Sequence, residues 1–167
     1  MRTFLNQIEA ALRVNLYYLS LLASLVIPDI CGAINSQDGS ASGEKYAAWF
    51  DQYVDAKYSH FFNGEDCYRF RCSFLHQGSS QRSDARYSRV FFIEPTAAAT
   101  TNIFHGNILN DALNMDARIF CLDIVEGARE WLDEVEETER FQENYRKFMR
   151  RYPNGLPPYM GGVSIIS

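Results

Sequence analysis

Apolar residues recur at intervals of three and four in the first part of the chain, which is the spacing of one face of an α-helix. The repeat consists of Phe4, Leu5, Ile8, Ala11, Leu12, Leu16, Leu19, Leu22 and Ala23. It predicts one long helix that ends or kinks at Pro28, because proline lacks a backbone donor and clashes with the preceding turn. Residues 14–27 are strongly apolar, but a bilayer span needs about 20 residues. We therefore expect a buried core helix and no membrane contact.

Two further helices are predicted on either side of residue 60. Residues 35–43 (NSQDGSASG) form a polar loop of turn-forming residues. A helix follows over about 44–58, with Ser42 as its cap. The third helix begins near Asn63, which can cap the first turn, and stops at Gly78.

A small β element is predicted next. Residues 87–93 (YSRVFFI) and 103–109 (IFHGNIL) are rich in aromatic and branched side chains and are bounded by Pro95 and Asn110. This composition favours strands. We interpret the two segments as a short hairpin inserted between helices, at about 87–109.

The longest periodic segment runs from 116 to about 151, where an apolar stripe predicts one helix. Lys147, Arg150 and Arg151 lie where a helix C-terminus favours cations. Residues 153–162 are expected to be extended. The sequence therefore predicts a single, mainly α domain over residues 1–167, with a small β insertion.

Charge is segregated along a chain of net charge −5. Residues 67–93 carry five arginines, Arg69, Arg71, Arg82, Arg86 and Arg89, against Asp84 alone. Acidic residues concentrate at Glu126, Glu130, Asp133, Glu134, Glu136, Glu137, Glu139 and Glu143. Such segregation can maintain a local positive field in an acidic protein, which suits an RNA partner. The alternative is that both stretches are ordinary solvated faces.

The four cysteines, Cys31, Cys67, Cys72 and Cys121, show no CxxC pair. A zinc site built from His60, Cys67, Cys72 and His76 would match no common ligand spacing. We expect no metal and no cofactor. Reduced, buried thiols indicate a cytoplasmic protein.

The segment 67–78 carries the candidate chemistry. On a helix with 100° per residue, its apolar side chains form one arc with Arg71 at the middle and His76 on the rim, in the last turn before Gly78. An unpaired buried charge costs several kcal/mol. Arg71 must therefore face an acidic partner, a ligand anion or a cleft between subunits.

Arginine and histidine are the kinds of side chain that cleavage of a phosphodiester without a metal needs. The guanidinium can stabilise charge on the phosphate, and the histidine can transfer a proton. The structural alternatives stay open: Arg71 pairs with Asp29, Asp66 or Asp123 to tie helices together, and His76 bonds a carbonyl at the helix end. His105 and His60 are expected to be structural residues.

Arg71, four further residues and His76 together resemble the catalytic motif of the HEPN superfamily of helical-bundle ribonucleases. The resemblance covers residues 4–78 and 116–152 in helix order. It implies an antiparallel bundle of four to five helices, Arg71 as the phosphate-binding residue and His76 as the catalytic acid or base. It also implies a homodimer whose paired motifs meet in a cleft. Many members are toxins or defence nucleases, which implies an antitoxin or a regulatory protein as a partner.

The sequence thus predicts a metal-independent endoribonuclease that leaves a 2′,3′-cyclic phosphate. Its RNA-binding residues are predicted to be Arg69, Arg82, Arg86 and Arg89. Active HEPN members usually carry a polar residue, often asparagine, after the motif arginine, where this chain has Cys72. The alternative function is a catalytically inactive HEPN-like module that binds a protein or a nucleic acid.

Overall fold

The computed structural model describes residues 1–58, 60–81, 86–95 and 104–167. The helices in these ranges are α1 (Arg2–Arg13), α2 (Tyr17–Ile34), α3 (Gly43–Tyr53), α4 (Gly64–Gln77), α5 (Ala117–Val135) and α6 (Glu139–Tyr145), with a 3₁₀ turn at Asp55–Lys57. The strands are β1 (Arg89–Ile93), β2 (Asn107–Leu109), β3 (Ala112–Asp116), β4 (Arg151–Tyr152), β5 (Gly155–Leu156), β6 (Met160–Gly161) and β7 (Ile165–Ile166). The chain is mainly helical with small sheets, as predicted.

Helix α2 occupies the centre of the fold, where it packs against α1, α3, α4, α5 and α6. It alone among the described helices has the length and composition of a membrane span, and 56% of its span is buried inside the protein. Tyr46 of α3 joins this centre, because its hydroxyl donates to the Leu25 carbonyl and lies 3.3 Å from Cys67 Sγ of α4. Three helices therefore meet around one buried tyrosine.

The predicted first helix is in fact two helices. The break covers residues 14–16, where Asn15 adopts a left-handed conformation with φ 60°. Asparagine tolerates this region better than most residues, and Asn15 Oδ1 also accepts a hydrogen bond from the Tyr17 hydroxyl. The apolar period continues across the break, so periodicity alone predicted one helix.

Pro28 does not end the helix, which contradicts the first of the two predicted outcomes. It lies buried inside α2, and the helix continues to Ile34. An interior proline costs about 3 kcal/mol, which core packing by residues such as Ile27 and Cys31 offsets. The helix end is fixed by α6, because Asn144 Nδ2 donates to the carbonyls of Ile34 and Ser36.

Helix α4 has both predicted ends. Asn63 caps it and forms a capping box with Asp66, and Gly78 closes it in the left-handed conformation with φ 64°. Its first residue, Gly64, lets α4 touch α3, because a Cβ there would lie 2.3 Å from the Ala47 carbonyl oxygen. Ser42 caps α3 as predicted, but α3 ends at Tyr53 and gives way to the 3₁₀ turn.

The β element is a three-stranded sheet and not the predicted hairpin between 87–93 and 103–109. The strand order is β1-β3-β2, with β1 parallel and β2 antiparallel to β3. The hairpin joins β2 to β3 through Asn110 and Asp111, which both have positive φ as a two-residue hairpin turn requires. The sequence pattern did not predict strand β3. Ile103 and Arg82 lie outside the described residues.

The predicted last helix is divided. Helix α5 ends at Val135, and Thr138 starts α6 by accepting a hydrogen bond from the Phe141 amide. Helix α6 ends at Tyr145. Lys147, Arg150 and Arg151 therefore follow the helix and do not belong to it. The segment expected to be extended folds back as two ribbons, which pair β4 with β7 and β5 with β6.

His105 has a structural position, as expected. Its Nδ1 accepts from the Asp116 amide at 3.2 Å, at the cap of α5. Its ring contacts Tyr58 and Phe61 edge to face. Burial lowers the pKa of His105 below its ordinary value of 6.5, with nearby Asp123 and Asp116 opposing the shift.

We expect the stability contributed by His105 to fall as the pH drops through about 6.5. The folded state binds fewer protons at this group than the unfolded state, so stability rises with pH across the window below 6.5. Urea unfolding at pH 5.5 and 7.5 measures the difference. His105→Asn keeps an acceptor but cannot titrate, and it should reduce the difference. A pH dependence in His105→Asn equal to that of the unmodified protein contradicts this role.

Candidate functional site

The two motif residues lie in the last two turns of α4. The Arg71 side chain is 19% exposed, and His76 is exposed at the helix end. The two positions are 140° apart around the helix, yet Arg71 Nη1 lies 3.3 Å from His76 Nε2. The length of the arginine side chain bridges the angular separation, so the two functional groups meet at one place.

Arg71 has an acidic partner, which is one of the three surroundings predicted from its place on the apolar arc. Its Nη2 lies 2.5 Å from Oδ2 of Asp29 on α2, whose side chain is 13% exposed. The other two candidate carboxylates have different roles. Asp66 closes the capping box of α4, and Asp123 accepts from Lys57 and Tyr58. Arg71 therefore ties α4 to α2.

Burial shapes the electrostatics of this pair. Burial raises the pKa of Asp29 above its ordinary value, although Arg71 and His76 both act to lower it. Burial acts to lower the pKa of Arg71, but Asp29 and Cys72 outweigh burial and raise that pKa. The guanidinium stays charged, and the carboxyl is the member of the pair that accepts a proton first.

Cys72 and Tyr68 complete the surroundings of the guanidinium. Arg71 Nη1 lies 3.9 Å from Cys72 Sγ. A hydrogen bond to Cys72 raises the pKa of Tyr68. The Tyr68 ring lies against Gly43, where a Cβ would come within 2.5 Å of it. The first residue of α3 is thus a glycine that leaves room for this ring.

The other predicted RNA-binding arginines lie apart from this pair. Arg69 pairs with Glu65 at 2.5 Å, and Arg86 donates to the His60 carbonyl and lies 3.9 Å from Asp66. Both arginines line a cavity of about 30 Å³ that neither Arg71 nor His76 lines. Acidic neighbours therefore offset much of their charge.

Arg89 and Arg82 complete the predicted RNA-binding set. Arg89 begins β1, and with the Gln81 amide turned to accept, Gln81 Oε1 lies 2.6 Å from its guanidinium. Arg82 lies outside the described residues. The structure brings together Arg71 and His76, and it does not gather the remaining described arginines around them.

An apolar surface that sequence reasoning missed borders the site on α2. Tyr18 is 62% exposed and Leu19 is 56% exposed. The partly buried Leu22 and Val26 continue this surface toward Asp29. Tyr18 also contacts Phe74 of α4 edge to face at 5.5 Å. The helical spacing of positions 18, 22, 26 and 29 was the signal in the sequence. We call these four α2 residues Tyr18, Leu19, Leu22 and Val26 the α2 stripe.

The cysteines are free thiols, and Cys31, Cys67 and Cys121 are buried. Burial raises the pKa of both Cys67 and Cys121 to about 12, so these two thiols are protonated at neutral pH. Within the described ranges, His, Cys, Asp and Glu side chains form no group of three that could hold a metal ion.

Comparison with known proteins finds no relative. No protein-family model matches the chain, and neither the curated proteins nor the solved structures give a match. The chemistry of the site therefore has to be argued from its own geometry.

We expect Asp29→Asn to destabilise the protein by about 1–3 kcal/mol, between the loss at a surface pair and at a fully buried one. The variant leaves the Arg71 charge partly buried without its counter-ion. The matched control is Glu65→Gln, which removes the partner of Arg69 at a site where the glutamate is 65% exposed. It should cost about 0.5 kcal/mol or less. Urea unfolding compares the two, and equal losses would show that the Arg71–Asp29 pair is no stronger than a surface pair.

Proposed function

We propose that the protein is a metal-independent endoribonuclease of the HEPN type that acts as a cytoplasmic homodimer. The observation that carries the proposal is the 3.3 Å contact between Arg71 Nη1 and His76 Nε2, with the other guanidinium nitrogen held by Asp29. A phosphate-binding cation and a proton-transfer group thus share one exposed helix end.

The contact between Arg71 and His76 assigns a hydrogen-bonding role to each side chain. A guanidinium only donates hydrogen bonds, so in this contact His76 Nε2 is the acceptor and its lone pair is directed at Arg71. In this scheme a phosphate displaces His76 from the guanidinium, and the freed lone pair of Nε2 then takes the proton from a ribose 2′-hydroxyl. The 2′-oxygen then attacks phosphorus, and the bond from phosphorus to the 5′-oxygen breaks. The products are a 2′,3′-cyclic phosphate and a 5′-hydroxyl, and Arg71 stabilises the charge on the phosphate oxygens.

The leaving 5′-oxygen needs a proton, which a second histidine supplies in this scheme. Two copies related by a twofold axis provide two of each motif residue. The α2 stripe supports this arrangement, because it leaves Tyr18 and Leu19 exposed on the helix that carries Asp29, about 15 Å of helix rise before that residue. Exposed apolar patches are typical of interfaces. An antitoxin or a regulatory protein could cover the same surface.

A catalytically inactive module that binds a protein or nucleic-acid partner is the second candidate. Two observations favour it. Asp29 already neutralises Arg71 in the single chain, and Cys72 takes the position that is usually polar in active HEPN members. The two candidates differ in whether the protein cleaves RNA, and the first also predicts that the cleavage depends on His76.

We expect His76→Ala to fold normally and to lose about 10²–10⁴-fold in RNA cleavage, because general acid–base catalysis typically contributes that much. His76 is exposed, so its loss should cost about 0.5 kcal/mol or less. Arg71→Lys keeps the charge but loses the planar fork that matches phosphate, so it should fold and not cut. Cleavage of a labelled RNA in excess EDTA and the melting temperature are measured side by side.

The control in that experiment is Arg13→Lys, an exposed arginine on α1 that pairs with Glu9 at 3.6 Å. It should cut like the unmodified protein. Undiminished cleavage by His76→Ala would rule out the proton-transfer role, and activity that disappears in EDTA and returns with magnesium would rule out the metal-independent scheme.

We expect light scattering at micromolar concentration to give twice the 19.2 kDa mass of the chain. Leu19→Glu should give a monomer that does not cut, because it places a charge on the α2 stripe. Leu109→Glu is the matched control, since Leu109 of β2 is exposed to a similar extent, 51% against 56%. A strict monomer that cleaves RNA would contradict the composite site.

A further inference from the structure

A second candidate surface lies one helical turn beyond Asp29 on α2. A groove of about 170 Å³ is formed by Ile30, Ala33 and Ile34 on one side and by Asn144, Lys147 and Phe148 on the other. Ile30 directly follows Asp29 in α2, and Ala33 is one turn further, about 5.4 Å along the axis. The groove and the Arg71–Asp29 pair therefore share α2, with Ile30 about 100° around the helix from Asp29.

An aromatic stack ends at this groove. The rings of Phe141 and Tyr145 lie 5.0 Å apart with planes 24° apart, and those of Tyr145 and Phe148 lie 5.4 Å apart with planes 18° apart. Phe148 is the last ring of the series, is partly exposed and lines the groove. A planar base placed there would continue the stack, and aromatic rings accept bases of any sequence in this way.

The groove also has the charge and polarity that a nucleotide needs. The exposed Lys147 lines it, and its Nζ would lie 3.8 Å from a Cβ at Gly39 across the groove. Arg146, Lys147 and Arg151 form no ion pair with any described residue, in contrast to Arg69 and Arg86. Asn144 uses its amide nitrogen to cap α2, which leaves its oxygen as an acceptor for a base edge.

We propose that this groove is a nucleotide subsite for single-stranded RNA, in which a base stacks on Phe148 and the adjoining phosphate pairs with Lys147. The inference rests on the proposed function, because the strand it holds is the one that Arg71 and His76 would cut. Among ligands, an RNA strand fits both features, since it offers planar rings and regularly spaced anions.

The test uses the full chain with His76→Ala as background, so that RNA is bound and not cut. Fluorescence anisotropy follows a fluorescein-labelled single-stranded RNA dodecamer. Phe148→Leu keeps apolar packing but removes the ring, and it should weaken binding about tenfold, while Phe148→Trp should restore it. Lys147→Ala should reduce the slope of log affinity against log salt by about 0.7, the value for one phosphate on a single strand. Arg13→Ala, an exposed cation on α1, should leave the slope unchanged.

The outcomes separate this subsite from the nuclease itself. If Phe148→Leu and Lys147→Ala bind the RNA as the background protein does, or if no RNA binds at all, the subsite is overturned. Cleavage of the same dodecamer by the protein with His76 intact tests the proposed function independently. RNA binding that depends on Phe148, without any cleavage, would support the subsite and contradict the proposed ribonuclease activity.

Discussion

The half-buried ion pair between Arg71 and Asp29 is the constraint on which the rest of the site depends. An arginine in the middle of an apolar helix face needs an anion, because desolvation of an unpaired guanidinium costs several kcal/mol. Asp29 can supply it only if α2 continues as a helix past Pro28. The run of α2 to Ile34, closed by Asn144, therefore decides where Arg71 points. The position of His76 follows, since its ring meets the remaining edge of the same guanidinium.

Helix α2 thus organises more than the core. It presents the α2 stripe on its first three turns, it holds Asp29 five residues before its end, and its last residues from Ile30 onward form one wall of the Phe148 groove. Each of these surfaces is completed by a different element: a neighbouring copy in the proposed dimer, α4 at the ion pair, and α6 with the residues after it at the groove. Because α2 packs against five other helices, it gives these surfaces fixed relative positions.

The sequence predicted what short-range chemistry determines. Asn63 and Gly78 mark the ends of α4. The position of Arg71 on the apolar arc required an acidic partner, a ligand anion or a cleft between subunits, and Asp29 was one of three candidate partners. The sequence did not reveal what depends on distant contacts. The break at Asn15 interrupts no apolar period, and α2 survives Pro28 because neighbouring helices pack around it. Strand β3 pairs with β1 in parallel, which no local pattern specifies. The two-residue turn at Asn110 and Asp111 was a usable signal for β3 that was overlooked.

The negative charge of Asp29 links the ion pair to the proposed dimer and to the groove. A phosphate that approaches Arg71 also approaches Asp29, so a single guanidinium would face two anions. Two responses reduce this repulsion. Burial already raises the pKa of Asp29, so the carboxyl accepts a proton at less cost than an exposed one would. Further cations would also compensate: the second Arg71 in the proposed dimer, or Lys147, which follows α6 and lines the groove beside α2. A site of this kind binds RNA well only when its neighbouring positive groups act with it, which is why the proposed activity requires more than the motif of one chain.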